Sequence, residues 1–240
     1  MRVFIVHAHH EPKSFNSSLT REGAAALTQA GHEVVISDLY AMNFNPVSDR
    51  RNFVTVKNPH YLQQQAEEIH AAENSGFASD IQAEMDKLFW CDALILQFPL
   101  WWFGLPAILK GWVDRVFAIR RAYGGGKYYN HGPFRGRIAM CSLTTGSMPA
   151  VYSEHGRNGT LSALLFPINH GMLYFTGFEV LEPFVVHAPA RLSYEERQEH
   201  LARYRERLLQ LNLAQRIEYR KLEEYDDHWV LKKPVGSLTS

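Results

Sequence analysis

Residues 93–112 read ALILQFPLWWFGLPAILKGW and contain the signals that decide the fold. Residues 93–96 form an uninterrupted apolar run, which is typical of a parallel β-strand covered on both faces. An aromatic corner bounded by Pro99 and Gly104 follows. A helix is predicted to begin at Pro106, because proline at the first helical position lacks only an N–H that would be unpaired there. A buried strand, a loop and a helix in this order indicate one unit of a layered α/β fold.

Trp101, Trp102 and Phe103 stand together in the predicted loop. Loops normally contact water, and aromatic rings exposed there forgo the free energy that burial would give them. A contiguous apolar surface of this kind indicates a binding surface. We therefore expect a ligand, a second subunit or both to cover these rings.

Further apolar runs predict the remaining strands of the sheet. They are residues 3–6, 34–36 and 138–143, and an edge strand made from residues 178–181 and 184–186. Helical patterns separate successive runs, and Ser14 or Asn16 is expected to cap the first helix. Strands that alternate with helices predict a doubly wound α/β fold, here a five-stranded parallel sheet with helices on both faces.

The composition limits the classes of partner. The chain has 240 residues, of which 46% are hydrophobic, and its formal charge is +0, which gives no electrostatic footprint for nucleic acid or a membrane surface. No stretch approaches the length of a membrane span, and the first residues lack the pattern of a secretory signal peptide. Cys91 and Cys141 stand in or beside apolar runs and are expected to be buried thiols. We expect a cytoplasmic protein with no integral membrane association and no nucleic-acid partner.

Loops after three predicted strands would meet at the carboxyl edge of the sheet, where doubly wound folds bind ligands. They span residues 7–16, 99–105 and 144–152. In the first loop, Ser14 and Asn16 precede a helix whose first N–H groups suit a phosphate or pyrophosphate. A Rossmann G-x-G-x-x-G pattern is lacking there, because the first glycine of the chain is Gly23. Plain capping of the helix is the alternative interpretation.

The other two loops supply complementary surfaces. Thr144, Thr145 and Gly146 offer hydroxyl and backbone hydrogen-bonding groups, and the aromatic loop offers flat rings and free backbone amides. Together with a phosphate-binding helix they suit a planar, polar-edged ring with a phosphate tail, as in a flavin. A hydrophobic interface without a cofactor is the alternative, but it explains only the aromatic rings.

His7, His9 and His10 raise the question of a metal site. Adjacent side chains in an extended chain point to opposite faces, so His9 and His10 would not easily face one ion. No Cys or Glu cluster with metal-ligand spacing follows. We expect no metal, and a histidine that lines an anionic ligand.

Several long motifs, in order, resemble the NAD(P)H:quinone oxidoreductases of the DT-diaphorase type, within the flavodoxin-like superfamily. They occupy residues 9, 14–16, 37–46, 97–112, 132–134, 144–146, 152, 177–178 and 180–183. The resemblance extends from about residue 2 to 210. It implies a homodimer with FAD in each active site, in which NADH or NADPH reduces a quinone substrate by two electrons through ping-pong hydride transfer.

Carried over by position, the resemblance implies which residues contact the flavin. The FAD phosphates and ribose would be held by His9, Ser14, Phe15, Asn16 and Ser18, with Arg197 near the adenosine. The isoalloxazine would be cradled by Pro99, Leu100, Trp102 and Phe103, with Thr144, Thr145 and Gly146 at its polar edge. Trp101, where the family often has glutamine, would belong to the same wall and either narrow the substrate pocket or pack on the other subunit.

The proton relay departs from the family pattern. Tyr152 falls on the family's active-site tyrosine, but the relay histidine falls on Asn158, whose amide does not take up a proton near neutral pH. His155 lies close by in the sequence and is the candidate replacement. The expected catalytic residues are therefore Tyr152, His155 and Asn158, and Tyr152 would also lie beside the flavin.

Residues 1–215 are predicted to form the FAD-binding catalytic domain, and residues 216–240 a C-terminal tail. Two other functions stay open. An azo- or nitroreductase that uses FMN would share the fold. A flavin-bound regulatory subunit of a transport protein would share it too, because fold does not fix function, and the irregular residues 41–77 could serve docking.

Overall fold

The computed structural model describes residues 1–232, and within them the strands form one parallel sheet in the order β2-β1-β3-β4-β5, with β6 also paired to β4. The strands are β1 (Arg2–His7), β2 (Glu33–Asp38), β3 (Ala93–Pro99), β4 (Ile138–Thr145), β5 (Glu179–Val180) and β6 (Phe184–His187). β3 and β4 are buried along their whole length, as expected for the centre of a sheet that is covered on both faces.

The predicted five-stranded architecture is confirmed, but its fifth position is shared by two short strands. β5 pairs with the start of β4 and β6 with its end, where Thr145 lies opposite His187. Pro183 stands between them and has no N–H to donate to a continuous ladder. The split leaves the carboxyl end of β6 beside the carboxyl ends of β3 and β4.

The helices cover both faces of the sheet. They are α1 (Phe15–Gln29), α2 (Gln64–Asn74), α3 (Ser79–Trp90), α4 (Ala107–Val116), α5 (Leu161–Ile168) and α6 (Tyr194–Leu209). Alternate residues of β1 point into two separate cores: Val3 and Ile5 pack with α1 and α6, and Phe4 and Val6 pack with α3 and α4. Gly23 allows α1 to approach α6, because a Cβ there would lie 2.6 Å from a methyl carbon of Leu208.

Helix termini follow the sequence signals closely but not completely. Ser14 caps α1, and the predicted capping box of Ser193 and Glu196 opens α6. The prediction that a helix begins at Pro106 is wrong by one residue, because Pro106 has the extended ψ of 144° and serves as the N-cap of α4. Beyond Ile168, α5 continues as a π-helical segment, Asn169–Tyr174.

Residues 41–77 are tied to α4 by buried charged groups. The buried guanidinium of Arg115 donates to Asn52 Oδ1 and to the carbonyl of Asn45, both at 2.7 Å. From α2, the carboxylate of Glu68 accepts the N–H of Ile119 at 2.8 Å. Burying these groups is favourable only because each finds partners, so the excursion is fixed against the domain.

The chain from Arg216 to Lys232 lies against the same body. Ile217 donates its N–H to the carbonyl of Val180 at 2.8 Å, and the Tyr174 hydroxyl donates to the carbonyl of Arg220 at 2.9 Å. Residues 233–240 of the predicted tail lie outside the described residues, and the boundary at 215 stays a prediction. In the described part of the chain, no helix combines the length and the apolar character that a membrane crossing requires.

Both cysteines are buried, as predicted. Burial raises the pKa of the Cys91 thiol and of the Cys141 thiol to about 12. Each is therefore a neutral, weakly reactive thiol inside the core at physiological pH.

Residues 41–77 contact α4 closely at Gly111. A Cβ at this position would lie 2.2 Å from the carbonyl oxygen of Pro46, so only glycine fits without a shift of the backbone. We expect Gly111→Ala to destabilise the fold by about 1–3 kcal/mol, the usual cost of overpacking. Gly171→Ala is the matched control, because a Cβ at Gly171 meets no atom within 4 Å. Urea unfolding followed by circular dichroism measures both, and equal midpoints for the two variants would contradict the described packing.

Candidate functional site

A cavity of about 340 Å³ opens at the carboxyl edge of the sheet, between β1, β3, β4 and the turn after β6. Its walls come from all three of the loops expected to meet there, and from one that was not expected. The lining residues are His9, Ser14, Phe15, Asn16, Pro99, Leu100, Trp101, Thr144, Thr145, Gly146, Ala188, Pro189, Ala190 and Arg191.

A second cavity of about 410 Å³ adjoins the first, and the two share Phe15, Pro189 and Ala190. It is also lined by Lys13, Ser18, Tyr194, Arg197, Gln198 and Leu201. The two cavities therefore form one groove that extends from the aromatic corner to α6. Ser18, predicted to contact the FAD phosphates and ribose, and Arg197, predicted to lie near the adenosine, both line this second part.

The N-terminus of α1 gives the groove its capacity for anions. The Ser14 side chain accepts the N–H of Ser17, and the first turn of α1 has no acidic residue. The helix dipole and the free N–H groups of that turn favour a negative charge there. Arg191 in the first cavity, and Lys13 and Arg197 in the second, add positive charge.

His9 faces this end of the groove as a neutral imidazole. Its Nδ1 accepts the N–H of Glu11 at 3.0 Å, which leaves the proton on Nε2 as a donor. Burial lowers the pKa of His9, with a smaller contribution from neighbouring His10. A neutral donor of this kind suits a phosphate oxygen.

Asn16 joins three elements around the groove rather than pointing freely into it. Its amide Nδ2 donates to Thr144 Oγ1 at 2.8 Å, and its Oδ1 accepts from Gln97 Nε2 at 2.9 Å. All three residues are buried. Because both ends of the Asn16 amide are engaged, its backbone N–H is the group left to contact a ligand.

The other end of the groove is flat and apolar. The N–H of Leu100 donates to the carbonyl of Thr144 at 2.8 Å, which holds the loops after β3 and β4 side by side. A Cβ at Gly146 would meet no atom within 4 Å, so open space adjoins its backbone. A planar ring fits between these loops, with its phosphates toward α1, and the donor set therefore suits a flavin nucleotide.

Trp102 and Phe103 do not line either cavity in the single chain. Both have left-handed backbone angles, with φ of 48° and 62°, which large side chains rarely adopt. The Trp102 side chain is 96% exposed and Phe103 is 49% exposed. Strained residues of this kind often belong to functional loops, and the two rings stay uncovered here.

Within residues 1–232, no hydrogen bond joins the side chains of the three residues expected to relay a proton. Tyr152 is half-buried and its ring centroid lies 5.7 Å from that of His187, while the His155 side chain is exposed. Asn158 donates its backbone N–H to the carbonyl of Val151 at 3.1 Å. The proposed roles of His155 and Asn158 stay predictions.

The turn after β6, Ala188 to Arg191, was missing from the sequence prediction. The sequence predicts one edge strand from residues 178–181 and 184–186, whereas the structure has two short strands, and the carboxyl end of β6 carries a fourth ligand loop. The rule that placed the other three loops applies to it equally. A signal was available in Pro183, which divides the two apolar runs.

The histidines at and after the end of β1 occupy two different environments. His7 is buried under α1, with Nδ1 2.9 Å from Thr20 Oγ1, and burial lowers its pKa to about 4. The strand ends at His7, so the expectation that His9 and His10 point apart is wrong, and their rings stack at 4.8 Å. Within residues 1–232, no group of three or more potential ligands could hold a metal ion.

Comparisons with known proteins identify the family. A family described as having a flavodoxin-like fold matches residues 1–211. A human ribosyldihydronicotinamide dehydrogenase [quinone] is 42% identical over 86% of the chain and 90% of the relative. The NAD(P)H dehydrogenase [quinone] 1 of Cavia porcellus is 41% identical over 86% of the chain and 76% of the relative.

A solved structure extends the likeness to nearly the whole chain. A candidate quinone reductase from Klebsiella pneumoniae superposes with a TM-score of 0.93 at 37% identity. The match covers 97% of this chain and 94% of that structure.

The Asn16 amide can be tested in the protein without any ligand. Asn16→Ala leaves the buried Gln97 Nε2 and Thr144 Oγ1 without their partner, so we expect a loss of about 1–3 kcal/mol of unfolding free energy. Asn74→Ala is the control, because its side chain is exposed on α2, and we expect a change below about 0.5 kcal/mol. Chemical unfolding of flavin-free protein measures both, and an undisturbed Asn16→Ala variant would show that the junction contributes no stability.

Proposed function

The chain belongs to the flavodoxin-like family that includes the NAD(P)H dehydrogenases [quinone], and from this premise we propose that it reduces quinones by two electrons, using FAD and NADH or NADPH. The observation that carries the proposal is the continuous groove, with an anion-binding helix terminus at its middle and flat walls at one end. A flavin dinucleotide has a matching order of groups: a flat ring at one end, phosphates in the middle and an adenosine at the other end.

The second cavity favours FAD over FMN. The ring and first phosphate of either flavin would occupy the first cavity, and FMN would end there. The second cavity lies beyond the α1 terminus and carries Arg197, Tyr194 and Lys13, which suit a second phosphate and an adenosine. A mononucleotide would leave these groups without a ligand.

When bound, the flavin accepts a hydride from one substrate and gives it to the next. The chain's own residues hold that chemistry in place. The wall at Leu100 and Trp101 excludes water from one side, and the buried Thr145 fixes the opposite loop. The Tyr152 hydroxyl would donate a hydrogen bond to the charge that develops, and donor and quinone would use one open face in turn, which is ping-pong exchange.

A homodimer would cover the exposed rings of Trp102 and Phe103. Both residues belong to the loop after β3, which also lines the groove, and both are exposed. Burying their rings at an interface would be favourable, because it removes apolar surface from water. We propose that the protein is a homodimer and that it acts in the cytoplasm.

The donor is proposed as a dihydronicotinamide. The relatives carry either a ribosyldihydronicotinamide or an NAD(P)H name, and these compounds share the ring that gives up hydride. They differ only beyond the ribose. Assays of flavin reduction with NADH, NADPH and dihydronicotinamide riboside will rank the donors.

The cofactor can be tested at Arg197. We expect Arg197→Ala to weaken FAD binding about tenfold or more and to leave FMN binding unchanged, because only the dinucleotide reaches the second cavity. Arg203→Ala is the matched control, since Arg203 is an exposed arginine of the same helix that lines neither cavity. Fluorescence titration of flavin-free protein gives the dissociation constants. Equal losses for FAD and FMN, or release of FMN from the purified protein on denaturation, would favour the FMN azo- or nitroreductase.

The reaction order can be tested by steady-state kinetics. Initial velocities at several fixed quinone concentrations, plotted reciprocally against NADH, should give parallel lines, because donor and acceptor occupy the same face in turn. Intersecting lines would indicate that both substrates bind together. Negligible turnover of menadione with flavin fully bound would instead favour a regulatory subunit.

A further inference from the structure

His187 ends β6 directly behind the wall of the first cavity. It lies opposite Thr145 in the sheet, and the N–H of Ala188 donates to the carbonyl of Thr145 at 2.8 Å. Thr145 and Ala188, the two residues that contact each other here, both line the cavity. The imidazole of His187 is half-buried and lies one hydrogen bond away from the cavity surface.

The hydrogen bonds around His187 fix its tautomer. Its Nδ1 lies 2.9 Å from Thr145 Oγ1, and the Thr145 hydroxyl donates its proton to the carbonyl of Ser147 at 2.9 Å. The hydroxyl oxygen is therefore the acceptor, and Nδ1 of the neutral ring carries the hydrogen. This assignment leaves the lone pair on Nε2, which is the atom free to take up a proton.

Delivery of hydride creates a need for such a group. A hydride brings two electrons and one proton, so each delivery lowers the net charge of the site by one. We propose that His187 is the positioning residue that binds the balancing proton, at Nε2, and holds it behind Thr145 until the quinone receives its hydride. The proposal rests on the proposed function, and it assigns the task to a residue outside the Tyr152, His155 and Asn158 set.

The protons and electrons balance over the full cycle. In the first half, the donor loses hydride and His187 takes one proton from solvent. In the second half, the quinone receives the hydride, with two electrons and one proton, and the proton held by His187 completes the hydroquinone. The sum is donor plus quinone plus one proton giving oxidised donor and hydroquinone, with His187 neutral again.

The surroundings favour a neutral ring at rest. Burial lowers the pKa of His187, and His200 on α6 lowers it further, while the backbone of Ser147 opposes them. Tyr152 also faces the ring, with its ring centroid 5.7 Å away at an interplanar angle of 36°. A negative charge arriving in the cavity would raise the pKa of His187 and so draw in the proton.

His155 and Asn158 are poorly suited to this task. The His155 side chain is exposed, so water screens it from charge in the cavity. Asn158 has an amide side chain, which cannot be protonated near neutral pH. In contrast, His187 is joined to the cavity wall by a direct hydrogen bond.

The test is the pKa of His187 itself, measured by NMR of isotope-labelled imidazoles in flavin-free, oxidised and dithionite-reduced protein. We expect the pKa in the reduced protein to be higher than in the oxidised protein by about one unit or more, and the flavin-free protein separates the effect of the flavin phosphates from that of reduction. His187→Gln assigns the resonance and removes the titration, because glutamine has an amide donor for Thr145 but no basic nitrogen. His60→Gln is the matched control, an exposed histidine on residues 41–77 whose removal should leave the shift intact.

Proton uptake supplies a second measurement. When NADH reduces the protein anaerobically in a weakly buffered dye solution, we expect the wild type to take up more protons per hydride than His187→Gln. The proposal is overturned if the pKa of His187 does not change on reduction. It is also overturned if His187→Gln takes up protons like the wild type while His155→Ala does not.

Failure of this proposal can be distinguished from failure of the proposed function. Dithionite reduces bound flavin without any need for NADH, so the pKa shift does not depend on the identity of the donor. A wild type that is reduced by NADH but shows no shift at His187 refutes only the role of His187. A wild type that binds no flavin refutes the function on which it rests.

Discussion

The side-chain amide of Asn16 lies buried between β3 and β4, where it donates to Thr144 at 2.8 Å and accepts from Gln97 at 2.9 Å. Gln97 in turn accepts the hydroxyl of Tyr204 from α6 at 3.3 Å. This chain of polar contacts fixes the first turn of α1 against the carboxyl ends of two central strands. Buried amides are costly unless every donor and acceptor is engaged, so the junction permits one arrangement of these elements. The anion-binding helix terminus and the flat wall are held at a set spacing as a result.

The rest of the structure supports this junction from both sides. Beneath it, His7 lies with Nε2 3.2 Å from Ser17 Oγ, inside the turn that Ser14 caps. On the opposite face, Arg115 of α4 and Glu68 of α2 hold residues 41–77 against α4 and the residues that follow it, and α4 comes directly after the aromatic loop. The groove therefore has rigid walls, while the exposed Trp102 and Phe103 stand at its rim in a strained turn. Rigid walls suit a tightly held cofactor, and an open, apolar rim suits a substrate that must bind and leave.

Much of the sheet and groove could be predicted because apolar runs and parallel topology dictate them. Buried strands are continuous apolar runs, and their carboxyl ends meet by geometry alone, so the loops that begin at His7, Pro99 and Thr144 were placed correctly. Pairing and packing decide the remainder. Pro183 divides the fifth strand in two, and without that division the turn at Ala188 is not predicted. Trp102 points outward because its backbone is left-handed, a conformation that residue propensities do not predict. His187 carries no motif, and its contact with Thr145 exists only through strand pairing.

An anaerobic titration of the purified protein with NADH tests the function most directly. The groove predicts a yellow protein whose visible absorbance is lost on addition of one equivalent of NADH per chain and returns on addition of one equivalent of a quinone. The result depends on neither the physiological quinone nor the proton route. A colourless protein that does not take up added FAD, or a yellow protein whose spectrum NADH leaves unchanged, would contradict it.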